Sequence, residues 1–114
     1  VISWDHVSLL RRDIGDAEFN AVVTLFFEEV EGRLTCLRDA PDPATLQSDL
    51  HFLRSNMLSL GFADASVLCH AGEKLSAEGA ANEVELDDIF GCYANSKRLF
   101  LDGLAKSKLV HTSL

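Results

Sequence analysis

Leu46, Leu50, Leu53, Met57 and Leu60 recur at a strict 4-3-4-3 spacing, the repeat that a core-facing helix requires. At about 100° per residue they fall within an arc of roughly 80° on one side of the helix. The same three- and four-residue period extends over most of the chain, so the sequence reads as α-helix almost throughout. Only two prolines interrupt the 114 residues, which leans the same way.

Ser3 stands as N-cap of a short amphipathic helix marked by Val7, Leu10 and Ile14 and ended by Gly15. Asp16 can cap a second helix, in which Phe19, Val23, Phe26, Val30, Leu34 and Leu37 recur between acidic residues. Its run "AVVTLFF" has the look of a buried strand. The long periodic context and the absence of a turn signal before Gly32 favour helix. In "DAPDPAT" the chain turns and restarts: Asp42 caps, Pro43 takes the first helical position, and a third helix runs to about Leu60. Gly61 ends it. A fourth helix over residues 64–78 carries Val67, Leu68, Ala71 and Leu75. Asn82 and Glu85 are spaced as a capping box before a last helix with Leu86, Ile89, Phe90, Tyr93, Phe100 and Leu104. The tail "VHTSL" is expected to fray.

Four substantial helices with short connections imply an all-α fold of one domain over residues 1–114. The expected form is an antiparallel up-and-down four-helix bundle with the short first helix as a lid. Gly72, Gly91 and Gly103 lie inside helices, where glycine costs about 1 kcal/mol against alanine, so close helix approach is expected there.

With 47% apolar residues a compact core is expected. Cys36, Cys69 and Cys92 cannot all pair within one chain, and none has C-x-x-C or zinc-type spacing. They read as reduced, mostly buried thiols of a cytoplasmic protein. The stretch "VISWDHVSLLRRDIG" has no positive region followed by an apolar run, so no secretory signal is visible. The apolar runs are too short to span a bilayer, so no membrane partner is expected. A net charge of −8 argues against nucleic acid as a partner, since binding its phosphates needs a basic face. No second apolar stripe is left over, which makes a monomer the expectation.

The polar side of the third helix is where chemistry can lie. Arg54, Gln47, Leu58, His51 and Ser55 fall roughly 80° to 180° from the centre of the apolar stripe. His51 therefore points out of the core, with Gln47 and Ser55 one turn to either side and Arg54 close enough to share a ligand with it. A neutral imidazole offers a nucleophilic lone pair on one ring nitrogen. Arg54 can supply a cation to a phosphoryl oxygen. Ser55, lacking bulk, lets another protein close over the ring, and Gln47 is placed to orient it. No carboxylate pair, Gly-rich phosphate loop or triad accompanies these residues, so an enzyme site of base and nucleophile is not supported.

The stretch "HFLRSNMLSLG" resembles the histidine-containing phosphotransfer domains of bacterial phosphorelays. The family pattern runs His, any residue, apolar, Lys, Gly, then Gly ten residues after the His; His51, Leu53 and Gly61 are in register. "FADASVLCHAGEKL" resembles the family's next helix, with Leu68, Cys69 and Glu73 in place, and "VVTLFFEEVEGRL" resembles the preceding one. The resemblance implies that His51 accepts a phosphoryl group from a receiver-domain phospho-aspartate and passes it to another receiver, with Arg54 stabilising the phosphate. The implied partners are receiver domains of response regulators and hybrid histidine kinases, docking over Gln47, Ser55 and Leu58, with Phe52 beside them. The receiver brings the Mg²⁺, and this chain binds no cofactor or ATP of its own. Two positions depart from the pattern: Arg54 stands for the family's lysine and Ser55 for its first glycine. They leave open a degenerate member that docks a receiver without transferring phosphate.

The remaining candidates read as ordinary structure. His70 falls on the polar side of its helix and reads as solvated rather than metal-bound, and Lys74 as an exposed lysine. His6 and His111 carry no pattern. Trp4 and Phe62 read as core or core-edge packing. "FEEVE" and "VELDD" lack calcium-loop spacing and read as solvated helix faces.

Overall fold

In a computed structural model, which describes residues 2–112 and their side chains through residue 106, the chain folds into five α-helices. They are α1 (Trp4–Ile14), α2 (Asp16–Asp39), α3 (Leu46–Ser59), α4 (Ala63–Ala77) and α5 (Leu86–Thr112), with a 3₁₀ turn at Ala81–Glu83. Among the described residues the extended pairing is one isolated antiparallel bridge, Ile2 to Phe62. No helix is long and apolar enough to cross a membrane, among the described residues.

The pair α3–α4 is the most extensively packed, and the sequence shows why. Leu46, Leu50, Leu53, Met57 and Leu60 are all buried, as their spacing requires. The face that α4 turns inward is small: Ala65, Ser66, Cys69 and Gly72. Large side chains on one helix and small ones on the other let the two axes come close. A Cβ at Gly72 would stand 2.9 Å from Leu50 Cδ1 and 3.0 Å from Val84 Cγ1, so the glycine is the gap these two side chains fill. Gly103 does the same for the Trp4 ring, whereas Gly91 faces open space, contrary to the close approach expected there.

An aromatic cluster closes the core. Phe62 lies fully buried, with ring centroids of Phe100 at 5.6 Å, Tyr93 at 5.7 Å and Phe27 at 6.3 Å. Trp4 stacks on Phe100 at 5.9 Å from the surface side. On the far side of α2, Tyr93 Oη donates to Glu31 Oε2 at 2.7 Å, and Lys97 donates to the same oxygen. Burial pushes the Glu31 carboxyl up, but these bonds and the Lys97 charge outweigh it and hold the group below its ordinary value.

Several local expectations are corrected. The helix α3 begins at Leu46 rather than Pro43, because Asp42 Oδ1 accepts the Ala44 N–H at 2.9 Å and so builds a turn instead of a cap. Asp16 is the first residue of α2, with Gly15 in the capping position at φ 83°. No hydrogen bond joins Asn82 to Glu85 among the described residues, and the capping box does not form. Val84 packs into the Gly72 gap, which holds the chain extended there until α5 starts at Leu86. Val67 is 66% exposed and Ala71 is exposed, since the small residues of α4 take the buried face. Cys36 is exposed, Cys92 half-buried and Cys69 buried, so the thiols are not mostly buried. The backbone of α5 stays helical through Thr112; Ser113 and Leu114, the end of the tail expected to fray, and the side chain of His111 lie outside the described residues.

Gly61 joins α3 to α4 at φ 77°, a backbone region that disfavours L side chains. Its carbonyl accepts the Ser3 N–H at 2.6 Å, and a Cβ there would run into the Ser3 carbonyl. Gly61→Ala is expected to cost about 1–3 kcal/mol of unfolding free energy from the backbone conformation alone. Urea melts of the two proteins check this; an unchanged midpoint would contradict the assigned geometry.

Candidate functional site

The buried stripe of α3 fixes which side chains the helix presents outward. His51, Gln47, Ser55 and Leu58 are exposed, and the Arg54 side chain is 29% exposed. Facing them, α4 brings up Glu73, one turn beyond the buried Cys69 and beside Gly72. The close approach of the two helices puts the Glu73 carboxylate against both His51 and Arg54. Its Oε1 lies 2.8 Å from His51 Nδ1, and its Oε2 accepts from Arg54 Nε at 2.9 Å. The Arg54 Nη2 stands 3.0 Å from His51 Nδ1.

These distances decide the chemistry of the ring. Burial raises the Glu73 carboxyl, but hydrogen bonds from His51 and Arg54 and the Arg54 charge outweigh it and hold the group below its ordinary value. An ionised carboxylate can only accept, so Nδ1 is the protonated nitrogen and donates to Oε1. The neutral imidazole then carries its lone pair on Nε2. The side chain is 59% exposed, and Nε2 has no hydrogen-bond partner among the described residues. In this tautomer the Arg54 Nη2 approach is a contact of like polarity, held by the shared carboxylate. Arg54 Nη1 makes no bond among the described residues and remains available to an incoming oxygen.

The arrangement is a nucleophilic nitrogen aimed outward, a carboxylate behind the ring and a guanidinium at its side. When an electrophile bonds to Nε2, positive charge develops on the imidazole, and Glu73 is in place to stabilise it. The site sits on rigid helices: Arg33 Nη1 donates to Asp49 Oδ1 at 2.6 Å across α2 and α3, and its guanidinium lies 4.5 Å from the Phe52 ring. Phe52 is thereby half-covered rather than free beside the polar centre.

The structure brings His51 and Arg54 together and leaves Gln47, Ser55 and Leu58 on the open surface around them. Gln47 makes no hydrogen bond to the ring among the described residues; Glu73 takes the orienting place expected of it. Glu73 had no role assigned from sequence. The signal for it was the fall of Cys69 and Gly72 on the buried side of α4, which puts residue 73 at the edge of that face. Cys69 itself donates to Met57 Sδ at 3.6 Å. Burial, with Cys92 and Glu73 nearby, pushes its thiol up to about 12, which removes it as a nucleophile. His70 and Lys74 are exposed, as expected.

Glu73→Gln keeps the shape and removes the charge. A hydrogen bond to a charged group is worth about 1.5–3 kcal/mol, so reaction at Nε2 is expected to slow about ten- to a hundredfold. Single-turnover rates at saturating partner check this, with imidazole nitrogen shifts reporting the tautomer; an unchanged rate would contradict the orienting role. A pH effect accompanies it. Since the Glu73 carboxyl is held low in the fold, its stabilisation is full above 4.5 and is lost as the pH falls through the folded value. The wild type should lose more stability than Glu73→Gln in acid unfolding series; equal losses would contradict the pairing.

Comparison with protein-family models, curated proteins and solved structures gave no match to this chain.

Proposed function

We propose that the chain is a phosphoryl carrier of a His–Asp relay, acting through His51. One observation carries the reading: Glu73 Oε1 lies 2.8 Å from Nδ1 of an exposed imidazole, which turns the other ring nitrogen, Nε2, away from the carboxylate. The resemblance of "HFLRSNMLSLG" to histidine phosphotransfer domains points to the same residue.

In the proposed step Nε2 attacks the phosphorus of a receiver's phospho-aspartate in line. The bond between phosphorus and the aspartyl oxygen breaks, the aspartate leaves as carboxylate, and the N–P bond forms. Nδ1 keeps its proton throughout, and the ring's gained charge is met by Glu73. Arg54 Nη1 takes up a phosphoryl oxygen. Return to a second receiver runs the same exchange backwards. The Mg²⁺ belongs to the receiver, and the chain contributes no metal, nucleotide or kinase activity of its own.

The proposal includes docking of receiver domains of response regulators and hybrid kinases over Gln47, Ser55 and Leu58. It also includes the arrangement of α2 to α5 as an antiparallel up-and-down bundle with α1 added, acting as a monomer in the cytoplasm. A second reading is docking without transfer. It draws on the engagement of Arg54 by Glu73, which leaves one terminal nitrogen for phosphate, and on Ser55 at the closest point of contact.

Incubation with phosphorylated receiver domains and Mg²⁺ separates the two. Acid-labile phosphate on the chain is the expected result. Binding of receivers without any label would favour the second reading and sink the first.

A further inference from the structure

A cleft of about 540 Å³ opens between α2 and α5, on elements other than the α3–α4 pair that carries His51 and Glu73. Its floor is apolar and aromatic, formed by Leu34, Phe90 and Tyr93. Three cations line it, Arg38, Lys97 and Arg98, against one carboxylate, Glu31. Lys97 and Tyr93 both donate to Glu31, so that carboxylate is already satisfied, and the local charge is set by Arg38 and by Arg98, the latter in a loose, exposed pair with Asp102. Arg38 lies 5.1 Å from the Phe90 ring and makes no ion pair among the described residues. Arg98 donates to Asn95 Oδ1 at 2.6 Å and stands 3.9 Å from the exposed Asp102.

A basic cleft runs against the charge of a protein at −8. Ligand pockets typically measure about 300–1,000 Å³; this cleft falls within that range and sets its apolar residues beside four charged side chains. We propose that it binds a small organic anion: a flat apolar body over Phe90 and Tyr93, with a carboxylate, sulfonate or phosphate between Arg38 and Arg98. The rings supply area and the guanidinium groups supply selection for charge.

Anilinonaphthalene sulfonate is the probe, and phenylnaphthylamine, with the same rings and no sulfonate, is its neutral control. Amide NMR titration of the full chain should give saturable binding with shifts concentrated at Leu34, Thr35, Ala94 and Leu101. A bond to a charged group being worth about 1.5–3 kcal/mol, the sulfonate should bind about tenfold or more tightly than the amine. Arg38→Ala with Arg98→Ala should remove that preference, and both side chains are exposed enough that the fold should survive. Equal affinity for the two probes, non-saturable binding, or shifts spread over the other helices would each overturn the proposal. The probe comparison needs no variant, so a misfolded double substitution would not rescue it.

Discussion

Replacement of His51 by glutamine is expected to abolish phosphoryl uptake while leaving the melting curve of the protein within about 0.5 kcal/mol of wild type, the usual range for surface substitutions. The two halves of this expectation come from different features. Loss of uptake follows from chemistry: a glutamine amide has no nucleophilic lone pair to replace Nε2. Preservation of the fold follows from burial, because the side chain is 59% exposed and the core stripe of α3 runs along the opposite face. Glu73 keeps its bond to Arg54 Nε in the variant, so no carboxylate is stranded. Labelling by a phosphorylated receiver, followed beside circular dichroism melts, measures both. Residual acid-labile label on His51→Gln would move the acceptor elsewhere. A large stability loss would mean that the imidazole is part of the core.

The opposite pattern is expected at Phe62. Its ring is fully buried at the junction of α3 and α4 and meets Phe27, Tyr93 and Phe100. Its backbone N–H donates to Met57 O at 2.8 Å and its strand-like pairing with Ile2 holds the start of the chain. Truncation leaves a cavity that rigid helices cannot collapse around. Phe62→Ala is therefore expected to cost about 3–5 kcal/mol, the range for a buried phenylalanine. A domain of ordinary stability has roughly 5–15 kcal/mol in all, so the variant should be partly unfolded near physiological temperature. Urea unfolding checks it: a loss below about 1 kcal/mol would show that the aromatic cluster is not the tight core described.

What could be read in the sequence was what depends on local spacing. The 4-3-4-3 stripe placed the four buried residues of α3, Leu60 at its C-cap and, by exclusion, the outward face of His51, Arg54 and Ser55. Gly15 and Gly61 marked helix ends because a positive φ leaves a residue-type signature. What could not be read was what one helix does to another. Glu73 lies 22 residues from His51, and their meeting depends on how closely α4 approaches α3. That approach rests on Ala65, Cys69 and Gly72, which a scan for large apolar residues passes over in favour of Val67. The start of α3 was misplaced for another reason: Asp42 before Pro43 reads as a helix cap, yet the same carboxylate can build a turn, and only the fold decides between them.

Glu73 also separates His51 from a bare surface histidine. An exposed imidazole beside an arginine is common, whereas one whose inner nitrogen lies 2.8 Å from a half-buried carboxylate is held in one orientation, with Nε2 on the opposite side of the ring. The direct test is therefore to locate the phosphoryl group by atom. The chain is charged by a phosphorylated receiver with Mg²⁺ and examined by nitrogen–phosphorus correlated NMR. Phosphorus is expected on Nε2 of His51, with a proton retained on Nδ1. Phosphorus on Nδ1, phosphorus on another residue, or no label from several active receivers would contradict this.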